Sequence, residues 1–342
     1  MRILLYEFIH AGGWRQFGWP SPPASLRREG AAMLAAVAAD FRQQDDVEVL
    51  IATDPTESGG TGCLSASAFV NHQADWTLII APESGGALCE LARRAEVASL
   101  KLLGPSSEFI QLTSDKHATA QYLAAAGVPV PRGCELAAGA PLPRDWRYPA
   151  VLKPRDGAGS QDTFLVDSYS AAEGSPTLPH NQQARRLEEY CPGQPASVAL
   201  LCGPDVRLPL VPCAQRLSTD GRFTYLGGKA PLRRDLAERA VALAARALEA
   251  LPPARGYVGV DLMLGAAADG SHDRVIEVNP RLTTSYVGLR ALCRGNLAGA
   301  MLAAAVGTPP ELSWLADKVE FDACGRVRCV RSRSQSGSQS TQ

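Results

Sequence analysis

No charge of one sign dominates this chain: 34 Lys and Arg stand against 35 Asp and Glu, a formal net charge of -1. That balance removes any broad electrostatic case for nucleic acid or an anionic membrane surface as a partner. Long apolar runs are missing too, and no stretch approaches the about 18–20 residues of a membrane span. The opening MRILLYEFIHAGGW has one Arg and a short apolar run interrupted by Glu7. It lacks the long h-region and small-residue cleavage site of a secretory leader. The 9 cysteines are odd in number, scattered and without a C-x-x-C pair. Neither a disulfide framework nor a zinc site is expected, and reduced thiols in a cytoplasm fit best. His10, His72, His117, His180 and His272 have no metal-ligand spacing.

What is present is ordinary globular composition, 46% hydrophobic and 20% charged over 342 residues, enough for two or three lobes with their own cores. Up to about residue 112, strand signals (2–9, 47–52, 76–81, 100–103) alternate with helical ones. Leu26, Met33, Leu34, Val37 and Phe41 recur at helical spacing, and 86–97 reads as a second helix. Such alternation predicts an open parallel sheet, because parallel pairing needs crossover helices. Ligands of these sheets sit beyond the carboxyl ends of the strands, where Glu7 and Glu83 fall.

From Thr113 the texture changes. Ser114 is expected to cap a helix carrying Tyr122 and Leu123, stopped by Gly127, Pro129 and Pro131. Strand signals at 148–153 and 163–166 flank a glycine-rich loop, and 168–182 is a polar link. Strands resume at 186–190 and 196–202. A helix at 236–251, started by Asp235, precedes strands at 257–264 and 274–279. Residues 331–342 are a Ser/Gln-rich tail that cannot bury a core.

Four segments carry chemistry. In GYVGVDLML and DRVIEVNPR, alternation puts Asp261 on one face of its strand and Glu277 together with Asn279 on one face of theirs. If the strands pair, two carboxylates and an amide oxygen converge. Hard oxygen donors of that kind suit Mg²⁺ completed by phosphate oxygens, and Arg281 follows on the same side. A half-exposed hairpin with polar residues in water is the plain alternative. In VLKPRDGAGSQDT, Lys153 precedes a small-residue loop, Asp156 to Ser160, whose backbone N–H groups can approach phosphate. It is no Walker A loop, since its lysine precedes the glycines. In TSDKHATAQYLAAAGVPVP, Lys116 lies in a helix's first turn, where its charge opposes the macrodipole. In LEEYCPGQPASVALL, a strand–turn–strand with tandem Glu188 and Glu189 can offer backbone groups and a carboxylate to an adenine edge.

In this order, SDKxxxxxxLxxxGVPVP, VLKPRDGAGS, LEEYxPGxxxSV, GVDLML and VIEVNPR resemble the ATP-grasp superfamily over about residues 113–306. The resemblance implies an α/β protein: an open parallel-sheet pre-ATP-grasp domain (1–112), then a two-lobed α+β ATP-grasp domain (113–310). The lid lobe would span about 120–185 and the metal-binding lobe about 186–310, with 311–342 an extension ending in a disordered tail. It further implies ATP with Mg²⁺ (or Mn²⁺) as cofactors. Lys116 and Lys153 look like the phosphate-binding lysines, and Asp156, Gly157, Gly159 and Ser160 like the loop over ATP. Glu188 would accept from the adenine amino group, with Glu189 and Cys191 offering backbone. Asp261, Glu277 and Asn279 match the metal ligands, and Lys153 and Arg281 the catalytic cations. Many relatives carry a ribose-binding glutamate where this chain has Gln194-Pro195.

The implied reaction is ligation of a small-molecule acid to an amine through an acyl phosphate, with no membrane or nucleic-acid partner and self-association left open. YEFIHAGGW, APESGG and NPRLTTSYVGL are similar to tyramine–glutamate ligases of methanofuran biosynthesis and their bacterial relatives. That likeness suggests glutamate and tyramine or a similar amine, and Glu83 or Glu7, at the strand ends of the first domain, is expected to hold a substrate ammonium group. A kinase acting on a hydroxyl and a non-catalytic nucleotide-binding protein are the competing readings.

Overall fold

A computed structural model describes residues 1–54, 74–172 and 183–330. The tail at 331–342, most of the polar link at 168–182, His72 and His180 lie outside the described residues. No helix among those described is long and apolar enough to cross a membrane.

The first unit is a three-stranded parallel sheet in the order Glu48–Ile51, Arg2–Glu7, Trp76–Ile80. Its central strand, RILLYE, is buried from its second residue onward, as expected where helices cover both faces. Ile3 and Leu5 enter a core with Met33, Leu34 and Val37 of helix Ala24–Phe41. Leu4 and Tyr6 point the other way, toward Leu88 and Leu91 of helix Ala87–Val97. Residues 100–103, expected as a strand, contribute only a parallel bridge between Thr77 and Leu102, because Gly104-Pro105 ends the extended run at once.

The second unit holds two antiparallel sheets. A four-stranded sheet runs Gly133–Leu136, Arg185–Glu189, Ala150–Pro154, Phe164–Val166. An eight-stranded sheet runs Arg274–Asn279, Gly256–Leu264, Gln194–Gly203, Cys213–Leu217, Tyr225–Ala230, Lys318–Phe321, Val327–Val330, with Val206–Pro209 also on Gln194–Gly203. One face of the large sheet, through Val198, Leu200, Val258 and Val260, packs on helix Arg234–Ala250. The opposite face, through Ala199, Leu201 and Tyr257, shares its core with Leu5 and Met33 of the first unit. One apolar core therefore locks the parallel sheet behind the strands that carry Asp261 and Glu277.

Three expectations change. The strand expected at 186–190 and assigned from sequence to the larger lobe runs Arg185–Glu189 and belongs to the small sheet: Leu187 is fully buried against Leu152 and Val166. The strand–turn–strand expected there does form, but its two strands serve different sheets and 190–193 passes between the lobes. Ser114 ends helix Ser107–Ser114, and Asp115 caps Lys116–Ala125 instead, accepting from the N–H groups of His117 and Ala118. The carboxylate bonds two orphan donors at once, which a hydroxyl one residue earlier could not reach. The C-terminal extension also has structure before its tail, with Val319 and Phe321 of Lys318–Phe321 buried in the large sheet.

Candidate active site

Strands Gly256–Leu264 and Arg274–Asn279 pair antiparallel, setting Asp261 opposite Glu277 and Gly259 opposite Asn279. A side chain at Gly259 would press on Thr283, its Cβ falling 2.8 Å from Cγ2, so this strand must be bare where Asn279 stands. Gln215 Nε2 (2.9 Å) and Asn279 Nδ2 (3.0 Å) donate to the two oxygens of Asp261. Burial, then the neighbouring Glu277 charge, pushes the Asp261 carboxyl up to about 7. Two close carboxylates without a full counter-charge, beside an amide oxygen, are a donor set suited to a hard divalent cation. Among the described residues no three His, Cys, Asp or Glu form a metal cluster. The amide oxygen and ligand oxygens must therefore complete any coordination shell here.

Both expected lysines arrive at this wall, Lys153 from the small sheet and Lys116 from the first turn of helix Lys116–Ala125, whose Leu123 packs into the core of the large sheet. Lys116 Nζ lies 3.1 Å from Glu277 Oε1 and donates to Gly157 O at 2.7 Å. Lys153 Nζ lies 2.5 Å from Glu188 Oε1 and donates to Ile276 O at 3.3 Å. The second oxygen of Glu188 accepts from Arg186 Nε at 2.7 Å, and Arg186 continues to His117 Nδ1 (3.0 Å) and Pro131 O (2.8 Å). Glu188 was expected to accept from adenine, but both its oxygens hold cations in an almost dry pocket. These two pairs offset the cost of burying the carboxylate.

The glycine loop follows Lys153. Asp156 Oδ2 accepts from Gly85 N at 2.8 Å, tying the loop to the first unit. Gly157 (φ 138°) and Gly159 (φ 68°) adopt backbone that side chains disfavour. The connection between lobes presents Glu189, Tyr190 and Cys191, and burial, then the Glu188 charge, pushes the Cys191 thiol up to about 11. Gln194 turns its amide onto Pro195 O at 2.8 Å, and Pro195 faces the cavity.

One cavity of about 190 Å³ is bordered by Lys116, Lys153, Asp156, Gly157, Gly159, Ser160, Glu188, Glu189, Cys191, Asp261, Glu277, Asn279 and Arg281. The structure thus gathers every residue singled out from the sequence for nucleotide, metal or catalysis. Glu83 is different. Expected to hold a substrate ammonium group, it is 2% exposed and accepts from Arg281 Nε at 2.9 Å. Burial opposes the Arg281 charge, yet Glu83 and Glu29 together hold its pKa above the ordinary value. Sequence reading missed Glu29, Gln215 and Thr283 to Ser285, which also line the cavity. Glu29 did leave a signal: it falls within the Leu26–Met33–Val37 stripe of its helix, where a carboxylate needs a reason.

Residues 113–285, half of the 342-residue chain, match the ATP-grasp domain, and 62–110 match the pre ATP-grasp 3 domain. A tyramine–L-glutamate ligase from Methanocaldococcus fervens is 27% identical over 304 residues, 84% of this chain and 89% of that protein. A solved structure from Archaeoglobus fulgidus, assigned to the ATP-grasp superfamily, has a TM-score of 0.71 at 24% identity. It covers 94% of this chain and 92% of its own. Carboxyaminoimidazole ribonucleotide synthase of Aspergillus clavatus, solved with ATP, has a TM-score of 0.69 at 18% identity, covering 94% and 81%. The last two likenesses establish the fold.

Proposed function

From the premise that the chain belongs to the ATP-grasp family, we propose that it joins glutamate to tyramine or a similar amine through an acyl phosphate. At the coarser level it is an ATP-dependent ligase that forms carbon–nitrogen bonds between small molecules. The observation that carries the reading is the convergence of Lys116, Lys153, Asp261, Glu277, Asn279 and Arg281 on one cavity. No serine or cysteine nucleophile is needed there.

A carboxylate is a poor electrophile, so it first attacks the γ-phosphorus of ATP. An O–P bond forms, the β–γ bridge breaks and ADP departs. The amine then attacks the activated carbonyl, a C–N bond forms, and phosphate leaves with the amine's extra proton. Lys116 and Lys153 stand where phosphate charge must be offset, and Arg281 where the reacting carboxylate or transferred phosphoryl group must be held. Asp261, Glu277 and Asn279 would hold Mg²⁺, which supplies neutralising charge to phosphate oxygens. Glu188 keeps the Lys153 ammonium in place without touching the reacting atoms. Backbone of Glu189 and Cys191 is left to meet the adenine edge. A cytoplasmic setting belongs to the same proposal, supported by the free thiol of every described cysteine.

Hydroxylamine trapping tests the reading. Purified chain with ATP, Mg²⁺ and glutamate is expected to yield a hydroxamate and one ADP per turnover. A phosphate ester without hydroxamate would instead indicate a kinase. Hydroxamate from another acid but not from glutamate would leave the ligase and remove the substrate.

A further inference from the structure

A second cavity, of about 100 Å³, opens beside the first where the parallel sheet meets the glycine loop. Its walls are apolar, with Trp19, Leu26, Met33 and Ile80 among them, and Trp19 is fixed by ring contact with Phe8 at 4.9 Å. Glu29, Gly159, Gln161 and Arg281 border both cavities, so a molecule in the second can reach the reacting end of the first. The charges facing this space are Glu7, Glu29 and Arg281. Arg281 is already neutralised by Glu83. Glu7 is 4% exposed and accepts from the N–H groups of Ile9 (3.2 Å) and His10 (2.7 Å). Glu29 accepts from the Thr284 hydroxyl. Among the described residues, two carboxylates thus face an apolar chamber whose one lining cation, Arg281, is already paired with Glu83.

We propose that this chamber is the subsite of the amine substrate, and that it selects a primary amine on an apolar body without a carboxylate. The inference rests on the ligase reading and extends it. An ammonium group pairs with Glu29 at the rim between the cavities and gives that carboxylate one proton, so that the neutral amine faces the activated carbonyl while the apolar body lies along Trp19 and Met33. An amino acid in the same pose would bring its carboxylate against Glu7 and Glu29 in a site of low dielectric. Like charges brought together there are strongly disfavoured, so the chamber rejects amino acids by repulsion as well as accepting amines by attraction.

The test uses the full chain with saturating ATP, Mg²⁺ and whichever acid yields hydroxamate with hydroxylamine. Hydroxylamine is small enough to need no subsite. ADP release is compared for tyramine against tyrosine and for phenethylamine against phenylalanine. We expect kcat/KM to favour each amine at least 100-fold. Glu29→Gln should raise the amine KM at least tenfold, with the acid and ATP KM values within twofold of parent. Trp19→Ala should narrow the preference for phenethylamine over ethylamine. Equal use of tyrosine and tyramine, or a Glu29→Gln effect on the acid KM instead, overturns the subsite while hydroxamate formation keeps the ligase. Absence of hydroxamate from every acid would remove both.

Discussion

The pairing of Lys153 and Arg186 with one carboxylate leads to an asymmetric prediction. Side chains of Lys153, Glu188 and Arg186 are 5%, 4% and 2% exposed, so the group is two positive charges and one negative in nearly dry surroundings. Glu188→Gln leaves both cations without a counter-charge. Removing one partner of a buried pair costs about 3–5 kcal/mol, mainly because the remaining charge is stranded. Lys153→Met leaves a matched Arg186–Glu188 pair and keeps an unbranched apolar stem, so its expected cost is about 1 kcal/mol. For a unit of roughly 200 residues, each kcal/mol moves the melting temperature by about 2–4 °C. In thermal melts without nucleotide, Glu188→Gln should fall at least about 6 °C, and Lys153→Met about 2–4 °C. Lys153→Met should nonetheless form almost no hydroxamate, while its fold, by circular dichroism, is parental. A Glu188→Gln melt matching the parent, or a Lys153→Met protein less stable than Glu188→Gln, would refute the charge accounting.

Other perturbations reach different parts of the structure. Glu277→Gln should lower hydroxamate formation about 100-fold or more at saturating Mg²⁺, and parental turnover would remove Glu277 from the metal and phosphate wall. Burial, against its two backbone donors, raises Glu7 from 4.5 to about 6, which is worth about 2 kcal/mol. That stabilisation is fully present below about 4.5 and is lost as pH rises through about 6. Melting temperature should therefore fall less between pH 4.5 and 7.5 in Glu7→Gln than in the parent, and parallel profiles would contradict the assignment. A Cβ at Gly203 would stand 1.7 Å from the carbonyl oxygen of Ala304, a backbone atom that cannot rotate away. Gly203→Ala should cost at least about 2 kcal/mol, and an unchanged denaturation midpoint would show that the helix at Ala304 yields freely.

The convergence of Asp261, Glu277 and Asn279 was legible because strand side chains alternate with a fixed period of two. Once 257–264 and 274–279 are read as strands, their faces follow, and the observed pairing of Asp261 with Glu277 needs only the two strands to be neighbours. The glycine loop after Lys153 and the alternating elements before residue 112 are local in the same sense. They depend on backbone freedom, propensity and spacing within a few residues. Arg185–Glu189 was legible as a strand for that reason, but not as a member of the small sheet, because either sheet satisfies its alternation.

Local rules are silent on which surfaces meet. Glu83 and Arg281 are 198 positions apart, and each alone reads as a residue free to hold a substrate. Their pairing depends on the parallel sheet docking against the large one through the core shared by Leu5 and Leu201. Glu188 likewise reads as an exposed acceptor until Lys153 and Arg186 close on it. Glu29 becomes a candidate only when its helix is laid across the mouth of both cavities. Sequence alone determined which residues are candidates for the chemistry and the strand face each would take, since residue type, covalent geometry and periodicity set those. Tertiary structure decided which charges neutralise one another and which remain for ligands, because burial and partnership are properties of packed surfaces distant in the chain.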